Sequence, residues 1–249
     1  MSAQYDSIAQ QYHDVALGRA DRKYLFIPTV EQVLGDVTGQ TVADLGCGTG
    51  FWTEWLAKKG AAYVYGIDES EEMLRIARAE AAQSGLLGKV IEYKQINLAH
   101  DVNPLSHPVD LAFAAFLLNY APNYEAMCEM LSGVNHMLPN RCRFITLTPN
   151  PDHPEFDGRE YYCTVEALKG VYEGCTIKVT DYHDTLPPVS FEHFWYPKST
   201  YERALKRLGF HSIVWHPLIV SQEGLERFPK GYWERYLAVS NPCVLEAVI

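Results

Sequence analysis

The run Asp44-Leu45-Gly46-Cys47-Gly48-Thr49-Gly50 decides the fold class of this chain. It continues the short apolar stretch Thr41-Val42-Ala43, which is typical of a buried strand, and it precedes a segment with Trp52, Trp55 and Leu56 on one side of a helix. A glycine-rich turn between a strand and a helix lets a ligand approach the backbone closely, because no side chain intervenes. The free N–H groups at the start of the helix favour a polar or anionic ligand group. The stretch therefore predicts a ligand-binding unit of strand, turn and helix.

Strands and helices continue to alternate after this unit. Strands separated by helices imply a parallel sheet with helices on both faces. We therefore predict an α/β fold with a seven-stranded, mostly parallel, Rossmann-like sheet. Its predicted elements up to residue 147 are strand 63–67, helix 71–83, strands 90–93 and 111–116, helix 124–137 and strand 143–147.

The residues before the glycine-rich turn predict a helical lid. Tyr5, Ile8, Ala9 and Tyr12 fall at i, i+3, i+4 and i+7, which is one apolar stripe of an amphipathic helix. A second helical segment covers residues 22–34, and the proline inside it is expected to bend or restart the helix.

The residues after Pro149 predict a second, smaller sheet. Three short alternating segments, near 160–165, 175–182 and 189–196, have no helices between them, so we expect an inserted antiparallel β cap over the main sheet. A helix at 200–208 and strands at 212–220 and 244–249 then return the chain to the main sheet. The expected division is a lid at 1–40, a ligand-binding core at 41–150, a substrate cap at 151–198 and a C-terminal completion of the core sheet at 199–249.

Composition and net charge restrict the classes of binding partner and the cellular compartment that we expect for the protein. The chain has 249 residues and a formal net charge of −10, which disfavours nucleic acid because phosphates need a basic footprint. Its six cysteines are scattered without metal-ligand spacing, and no apolar run is long enough to cross a membrane. The first residues lack a secretory pattern. We therefore expect a cytoplasmic protein with reduced thiols, no metal and a small neutral or cationic partner, whose oligomeric state the sequence does not determine.

An acid at the end of the second strand narrows the choice of ligand. Asp68 follows Gly46 at about the spacing expected for a carboxylate that binds a ribose. A dinucleotide fingerprint requires G-x-G-x-x-G, and Phe51 occupies the place of its third glycine. The spacing therefore argues against a nicotinamide oxidoreductase.

Two runs together resemble the class I S-adenosylmethionine-dependent methyltransferases. They are residues 44–50 and Gly66-Ile67-Asp68-Glu69-Ser70-Glu71-Glu72-Met73-Leu74. The resemblance implies that the chain binds S-adenosylmethionine in its core and releases S-adenosylhomocysteine after methyl transfer. It also implies which residues contact the cofactor. The methionine portion lies at Gly46 and Gly48, both ribose hydroxyls bind Asp68, and the adenine face packs on Met73. The adenine edge lies at Asn97 and Leu98, where the family often has an acid, and Asp44, Cys47 and Glu69 are further expected cofactor contacts.

The resemblance extends to other parts of the chain. Residues 5–12 resemble the opening helix that folds over the cofactor in small-molecule methyltransferases, and Leu138-Pro139-Asn140-Arg141-Cys142-Arg143 resembles the family turn L-x-P-G-G with its glycines replaced. Residues 201–205, 209–210 and 232–237 are similar to the group that contains the N-methyltransferase of toxoflavin biosynthesis. The implied acceptor is therefore a small molecule.

Several side chains are candidates for contact with the cofactor or the acceptor. Trp52 either covers the cofactor or packs in its own helix, and Tyr12 either contacts the ligand from the lid or packs in the core. Phe116 follows the fourth strand, whose carboxyl end borders the ligand crevice of a parallel sheet. Packing of Phe116 in the core is compatible with its backbone lining the site. Asn119 and Tyr120 are the polar candidates for contact with the acceptor.

The cap supplies one acid–base candidate. In the run Phe191-Glu192-His193-Phe194-Trp195-Tyr196, strand alternation places His193 on the same face as Phe191 and Trp195. His193 is either a base in an aromatic pocket, since imidazole titrates near neutrality, or a hydrogen-bonded core histidine. Tyr5, Trp195 and Tyr196 complete the set of expected acceptor contacts.

The expected reaction is an in-line displacement at a sulfonium methyl. Correct alignment of the two reactants can supply ~7–11 kcal/mol of the barrier. A neutral nitrogen needs no strong base, whereas a hydroxyl does, so the single base candidate favours nitrogen of a flat aromatic or heteroaromatic acceptor. The alternatives are an O-methyltransferase with a histidine base, a non-catalytic domain that binds S-adenosylmethionine, and a protein or RNA methyltransferase, against which the negative charge weighs.

Overall fold

A computed structural model describes residues 5–101, 105–139, 141–240 and 242–249. The strands are β1 (Thr41–Leu45), β2 (Tyr63–Asp68), β3 (Ile91–Gln95), β4 (Leu111–Ala115), β5 (Arg143–Thr148), β6 (Phe156–Gly158), β7 (Cys163–Ala167), β8 (Thr176–Asp181), β9 (Val189–Phe194), β10 (His211–Pro217) and β11 (Cys243–Val248). The α-helices are α1 (Ala9–Leu17), α2 (Ile27–Leu34), α3 (Phe51–Lys58), α4 (Glu71–Gln83), α5 (Tyr124–Met137), α6 (Lys198–Arg207), α7 (Gln222–Arg227) and α8 (Tyr232–Arg235). Short π-helices cover Arg22–Phe26 and Tyr236–Ser240, and 3-10 turns cover Leu118–Tyr120 and Arg159–Tyr161.

The larger sheet has the strand order β10-β11-β5-β4-β1-β2-β3. β1 is parallel to both of its neighbours, β2 and β4, whereas β11 is antiparallel to β5 and β10. The predicted α/β class with a seven-stranded, mostly parallel sheet is confirmed. The chain order reverses at β1, and in open sheets the loops on either side of such a reversal separate to leave a ligand crevice.

Helices cover both faces of this sheet because alternate residues of the central strands are apolar on both sides. Val42 packs in one cluster with side chains of α2, α3 and α4, and Ala43 packs in the other with side chains of α5 and α6. Both residues have no exposed surface. The carboxyl ends of β1, β2 and β4 are thereby fixed relative to one another.

The smaller sheet is antiparallel, with the order β6-β7-β8-β9. It has four strands instead of the three predicted, because β6 is only three residues long and carries too little periodicity to be seen in the sequence. α1 packs against both α4 and β9, so the N-terminal helix contacts both the larger sheet's helices and the smaller sheet.

Two of the predicted strands extend beyond the observed strand ends, for local reasons. β4 ends at Ala115, since Phe116 has a φ of +59° that no strand residue adopts. β10 ends at Pro217, because proline cannot donate a ladder hydrogen bond. The predicted break at Pro28 is confirmed: α2 begins at Ile27, with the proline in its first turn, where a missing N–H is harmless.

The first four residues and Asn140, which belongs to the turn resembling L-x-P-G-G, lie outside the described residues. No helix in the described part of the chain has the length and apolar character needed to cross a membrane. All six cysteines are free thiols.

Candidate functional site

The turn after β1 presents bare backbone to the crevice. Cys47 donates its N–H to the Ile67 carbonyl at 2.9 Å, which ties the turn to β2. Gly46 and Gly48 have φ values of +67° and +54°, in the left-handed region that a Cβ disfavours. A Cβ on Gly46 would also lie 2.9 Å from Cδ1 of Leu117. Glycine is therefore required both by the backbone conformation and by the close approach of the next loop.

Asp68 connects this turn to the start of α4. Its Oδ2 accepts the N–H of Gly48 at 2.8 Å, and its Oδ1 accepts the N–H of Ser70 at 2.9 Å. Burial raises the pKa of Asp68 above its ordinary value. Each carboxylate oxygen has a second lone pair that can accept a hydrogen bond from a ligand hydroxyl. Asp68 thus fixes the loop geometry and keeps two acceptors available.

A strand-end cavity lies at the carboxyl ends of β1 to β4. Met73, 3% exposed, contributes an apolar wall, and Glu69 accepts a 2.7 Å hydrogen bond from the amide of Asn97. Most of the predicted cofactor residues lie together here: Tyr12, Gly46, Gly48, Asp68, Glu69, Met73, Asn97, Leu98 and Phe116.

A cap cavity lies between the turns after β1 and β4 and the smaller sheet. The face of β9 that was predicted to carry Phe191, His193 and Trp195 is the face that lines it. The predicted residues in its wall are Cys47, Trp52, Asn119, Tyr120, His193 and Trp195, together with Tyr12, Gly46, Gly48 and Phe116 from the strand-end cavity.

The two cavities share a wall. Its six residues are Tyr12, Gly46, Gly48, Ala115, Phe116 and Tyr120. The two cavities therefore adjoin at the end of β1 and the turn after β4.

Two predicted residues lie outside both cavities. Asp44 is buried beneath the glycine turn. Tyr196 is 2% exposed in the core of the larger sheet, where its hydroxyl donates to the Ala121 carbonyl at 2.7 Å. Tyr5 lines the strand-end cavity, and its hydroxyl hydrogen-bonds to that of Tyr120. Trp52 lines the cap cavity and packs on Phe113 with ring centroids 5.2 Å apart.

His193 is a neutral imidazole in the cap cavity. Its side chain is buried, and its Nδ1 lies 3.1 Å from the Phe194 carbonyl. A carbonyl oxygen only accepts, so Nδ1 carries the proton and Nε2 carries the lone pair. Burial lowers the pKa of His193 to about 4, and the ring stays uncharged at neutral pH.

Sequence inspection missed a group of charged residues in the cap cavity. Arg19 lies 2.5 Å from Asp181 of β8 and also pairs with Asp21, which accepts a hydrogen bond from Tyr236. Arg22 stacks on the ring of Phe51 at 4.5 Å. No carboxylate among the described residues lies within 4 Å of the Arg22 guanidinium. Asp181 and Tyr236 lie far from residues 19–22 in the sequence, so no local pattern shows that these charged and polar side chains meet.

We expect Asp44→Asn to stabilise the protein more at pH 8 than at pH 5. Oδ2 of Asp44 accepts the hydroxyl of Thr53 at 2.6 Å, whereas Oδ1 has no hydrogen-bond partner among the described residues. Burial raises the pKa of Asp44 to about 7. In the unfolded chain the carboxyl titrates near its ordinary value, so the folded state loses stability as the pH rises from about 4 to about 7.

An amide stays neutral and avoids this loss. The gain in free energy of unfolding should be larger at pH 8 than at pH 5 by about 1–3 kcal/mol. Urea titrations at both pH values measure it, with Asp184→Asn in an exposed loop as the matched control. An equal effect at the two pH values would contradict a proton on Asp44 near neutrality.

Residues 42–138 match the family model of a methyltransferase domain. The ubiquinone biosynthesis O-methyltransferase of Neisseria meningitidis is 32% identical over 117 residues, 47% of this chain, and the chain spans about half (48%) of that relative's length. The enzyme of the same name in Acinetobacter baylyi is 27% identical over 195 residues, covering 76% of this chain and 73% of that protein.

A solved structure extends the likeness to the whole chain. An S-adenosylmethionine-dependent methyltransferase from Clostridium acetobutylicum matches with a TM-score of 0.66 and 17% identity, covering 98% of each chain. At this identity the match establishes a shared fold.

Proposed function

We propose that the chain is a class I S-adenosylmethionine-dependent methyltransferase that acts on a small molecule. The observation that carries the proposal is the shared wall of the two cavities at Gly46, Gly48 and Phe116. The two cavities adjoin there, in a site enclosed by α1 and the smaller sheet, which favours alignment of two bound ligands and excludes water. The match of residues 42–138 to a methyltransferase domain supports the same function.

S-adenosylmethionine fits the strand-end cavity and supplies an electrophilic methyl group when bound. The bare turn at Gly46 and Gly48 leaves the space that side chains would fill. Asp68 offers two acceptors to ribose hydroxyls, and Met73 offers an apolar face to adenine. Arg22, at the cap-cavity side of the glycine turn and without a carboxylate partner among the described residues, suits the carboxylate of the methionine portion.

The proposed acceptor is a flat aromatic or heteroaromatic metabolite. Phe156, Phe191 and Trp195 line the cap cavity and provide aromatic surfaces for stacking. The resemblance to the group of the toxoflavin-biosynthesis N-methyltransferase favours the same class of acceptor.

Nitrogen is the proposed target atom. A neutral amine or ring nitrogen attacks with its existing lone pair and loses a proton afterwards. Because burial lowers the pKa of His193 to about 4, its imidazole is uncharged but too weak a base to deprotonate most hydroxyl groups before transfer. The cap cavity therefore suits nitrogen better than oxygen.

Oxygen methylation is the second candidate. Its support is that the relatives described above are named as O-methyltransferases. His193 would then act as base, and the transfer rate should fall as the pH drops through the pKa of His193, about 4. A rate with a weakly basic aromatic amine that stays level through this range favours nitrogen.

The proposed organisation is a lid at 1–40, a cofactor-binding core at 41–150, a substrate cap at 151–198 and a completion of the core sheet at 199–249. The smaller sheet, β6 to β9, falls within the proposed cap. Six free thiols support the proposed cytoplasmic location.

Methyl transfer from tritiated S-adenosylmethionine to a panel of aromatic amines and hydroxyaromatics tests this function. We expect Val179→Trp, which fills the cap cavity from β8, to lower transfer at least about 100-fold while affinity for S-adenosylhomocysteine stays within about twofold. Val179→Ala, which leaves the cavity open, is the matched control. A wild-type protein that binds S-adenosylhomocysteine but methylates no member of the panel would favour a non-catalytic binding domain.

A further inference from the structure

The turn after β4 carries a buried amide with an unused acceptor. Asn119 lies in the 3-10 turn Leu118–Tyr120, is 1% exposed and lines the cap cavity. Its Oδ1 has no hydrogen-bond partner in the described part of the chain. Burial of an unsatisfied acceptor is unfavourable, so its presence calls for a functional explanation such as a ligand that supplies the donor.

The backbone that leads to this amide is strained. Phe116 has a φ of +59°, although it is not glycine, and its N–H still donates to the Leu147 carbonyl at 2.7 Å. Left-handed backbone is unfavourable for a bulky residue and persists where the surrounding structure imposes it, often at ligand sites. Here the reversal ends β4 and turns the chain so that Asn119 borders the cap cavity.

β9 supplies a second unused acceptor in the same cavity. The turn Leu118–Tyr120 packs against β9, and the rings of Tyr120 and His193 are 6.4 Å apart. Since Nδ1 of His193 donates to the Phe194 carbonyl, Nε2 presents a lone pair, and no described residue donates a hydrogen bond to it. Asn119 Oδ1 and His193 Nε2 are thus two acceptors in the residues that line the cap cavity to which no described residue donates a hydrogen bond.

We propose that these two acceptors select a primary aromatic amine as the methyl acceptor, a specialisation that rests on the proposed function. Each of the two N–H bonds of an –NH₂ group donates to one of them, and the nitrogen lone pair stays free to attack. A hydroxyl or a secondary amine has one hydrogen and leaves one acceptor unsatisfied. Asn119 and His193 thus favour an acceptor whose nucleophilic atom carries two hydrogens over one whose nucleophilic atom carries a single hydrogen.

The methyl transfer needs only the acceptor nitrogen, the sulfonium of S-adenosylmethionine and His193. The nitrogen lone pair forms the new N–C bond, and the electron pair of the breaking S–C bond passes to sulfur, which becomes a neutral thioether. The resulting ammonium loses one proton to Nε2 of His193, which releases it to solvent. The product retains one N–H, so it binds less well than the substrate, and a single methylation is favoured.

Three quinolines of the same shape test the proposal by binding to protein saturated with S-adenosylhomocysteine. 3-Aminoquinoline has two hydrogens on its substituent heteroatom, 3-hydroxyquinoline has one and 3-methylquinoline has none. We expect wild-type affinity to fall in that order, by about three- to tenfold at each step, as expected for one hydrogen bond. Equal affinities for the amino and hydroxy compounds, or binding of none of the three, would overturn the proposal.

Asn119→Leu and His193→Phe each remove one acceptor with little change in volume. In either variant the amino compound should lose its advantage over the hydroxy compound, while 3-methylquinoline binds as in wild type. A preference for the amine that persists in both variants would also overturn the proposal. An unchanged melting temperature and an unchanged affinity for S-adenosylhomocysteine verify that a variant folds. If one variant does not fold, the other still tests the proposal.

The saturation step separates this inference from the proposed function. If wild-type protein does not bind S-adenosylhomocysteine, the proposed function fails. If it binds that compound but shows no preference for the amine, only the amine assignment fails.

Discussion

Asp68→Asn should lower the affinity for S-adenosylhomocysteine at least about 100-fold, the larger of two expected effects on the cofactor. The Asp68 carboxylate accepts backbone N–H groups of Gly48 and Ser70, one on each oxygen. An amide has one oxygen, so its NH₂ group would face one of these donors and push the loops apart. The variant also loses an acceptor for a ribose hydroxyl. Loss of one partner of a buried charged hydrogen bond costs about 2–5 kcal/mol, consistent with this loss of affinity.

Calorimetric titration measures the Asp68 effect directly. Asp184→Asn makes the same chemical change in an exposed loop and should bind like wild type. A variant at position 68 that retains affinity within a few-fold would contradict the role assigned to this carboxylate.

Arg22→Met should lower the affinity for S-adenosylhomocysteine about 10- to 100-fold and leave that for methylthioadenosine unchanged. The two compounds share the adenosyl thioether, and only the first carries the amino acid carboxylate. A charged hydrogen bond contributes about 1.5–3 kcal/mol, which corresponds to this range. A loss of affinity for S-adenosylhomocysteine but not for methylthioadenosine would identify the amino acid carboxylate as the group that Arg22 binds.

The same substitution should raise the stability of the ligand-free protein. Burial lowers the pKa of Arg22, which reflects the unfavourable removal of its charge from water. No carboxylate in the described residues lies within 4 Å to offset it. Arg203→Met, on the surface of α6, is the control for the change in side-chain chemistry.

Equal losses of affinity for S-adenosylhomocysteine and methylthioadenosine in Arg22→Met would indicate a general distortion of the cavity and contradict the role assigned to Arg22.

The sequence predicts most of the strand-end cavity because its determinants are local. The glycine turn, Asp68 and Met73 lie in two short runs, and each run belongs to one strand, its loop and the following helix. The strand order then brings these loops to one edge of the sheet. Glycine at positions 46 and 48 reflects a backbone conformation that is legible from residue type alone.

The cap cavity is less predictable because residues from distant segments meet there. Arg19 and Asp181 form an ion pair across 162 positions, and neither segment carries a sign of the other. Tyr196 was predicted to contact the acceptor, but β9 ends at Phe194, and the tyrosine hydroxyl donates to the Ala121 carbonyl in the core of the larger sheet. Alternation predicts sides only while the strand lasts.

Short elements near the C-terminus were also missed. α7 begins after Ser221, whose hydroxyl accepts the N–H of Gly224, and it spans only six residues. So short a helix shows no full apolar stripe, and its position depends on packing against the π-helix Arg22–Phe26.

Calorimetric titration of the wild-type protein with S-adenosylhomocysteine, beside an identical titration with NAD, decides which class of cofactor the strand-end cavity binds. We expect a single site with a dissociation constant in the micromolar range for S-adenosylhomocysteine and no heat of binding for NAD. Absence of binding to S-adenosylhomocysteine, or tighter binding of NAD, would contradict the claim that this chain is an S-adenosylmethionine-dependent methyltransferase.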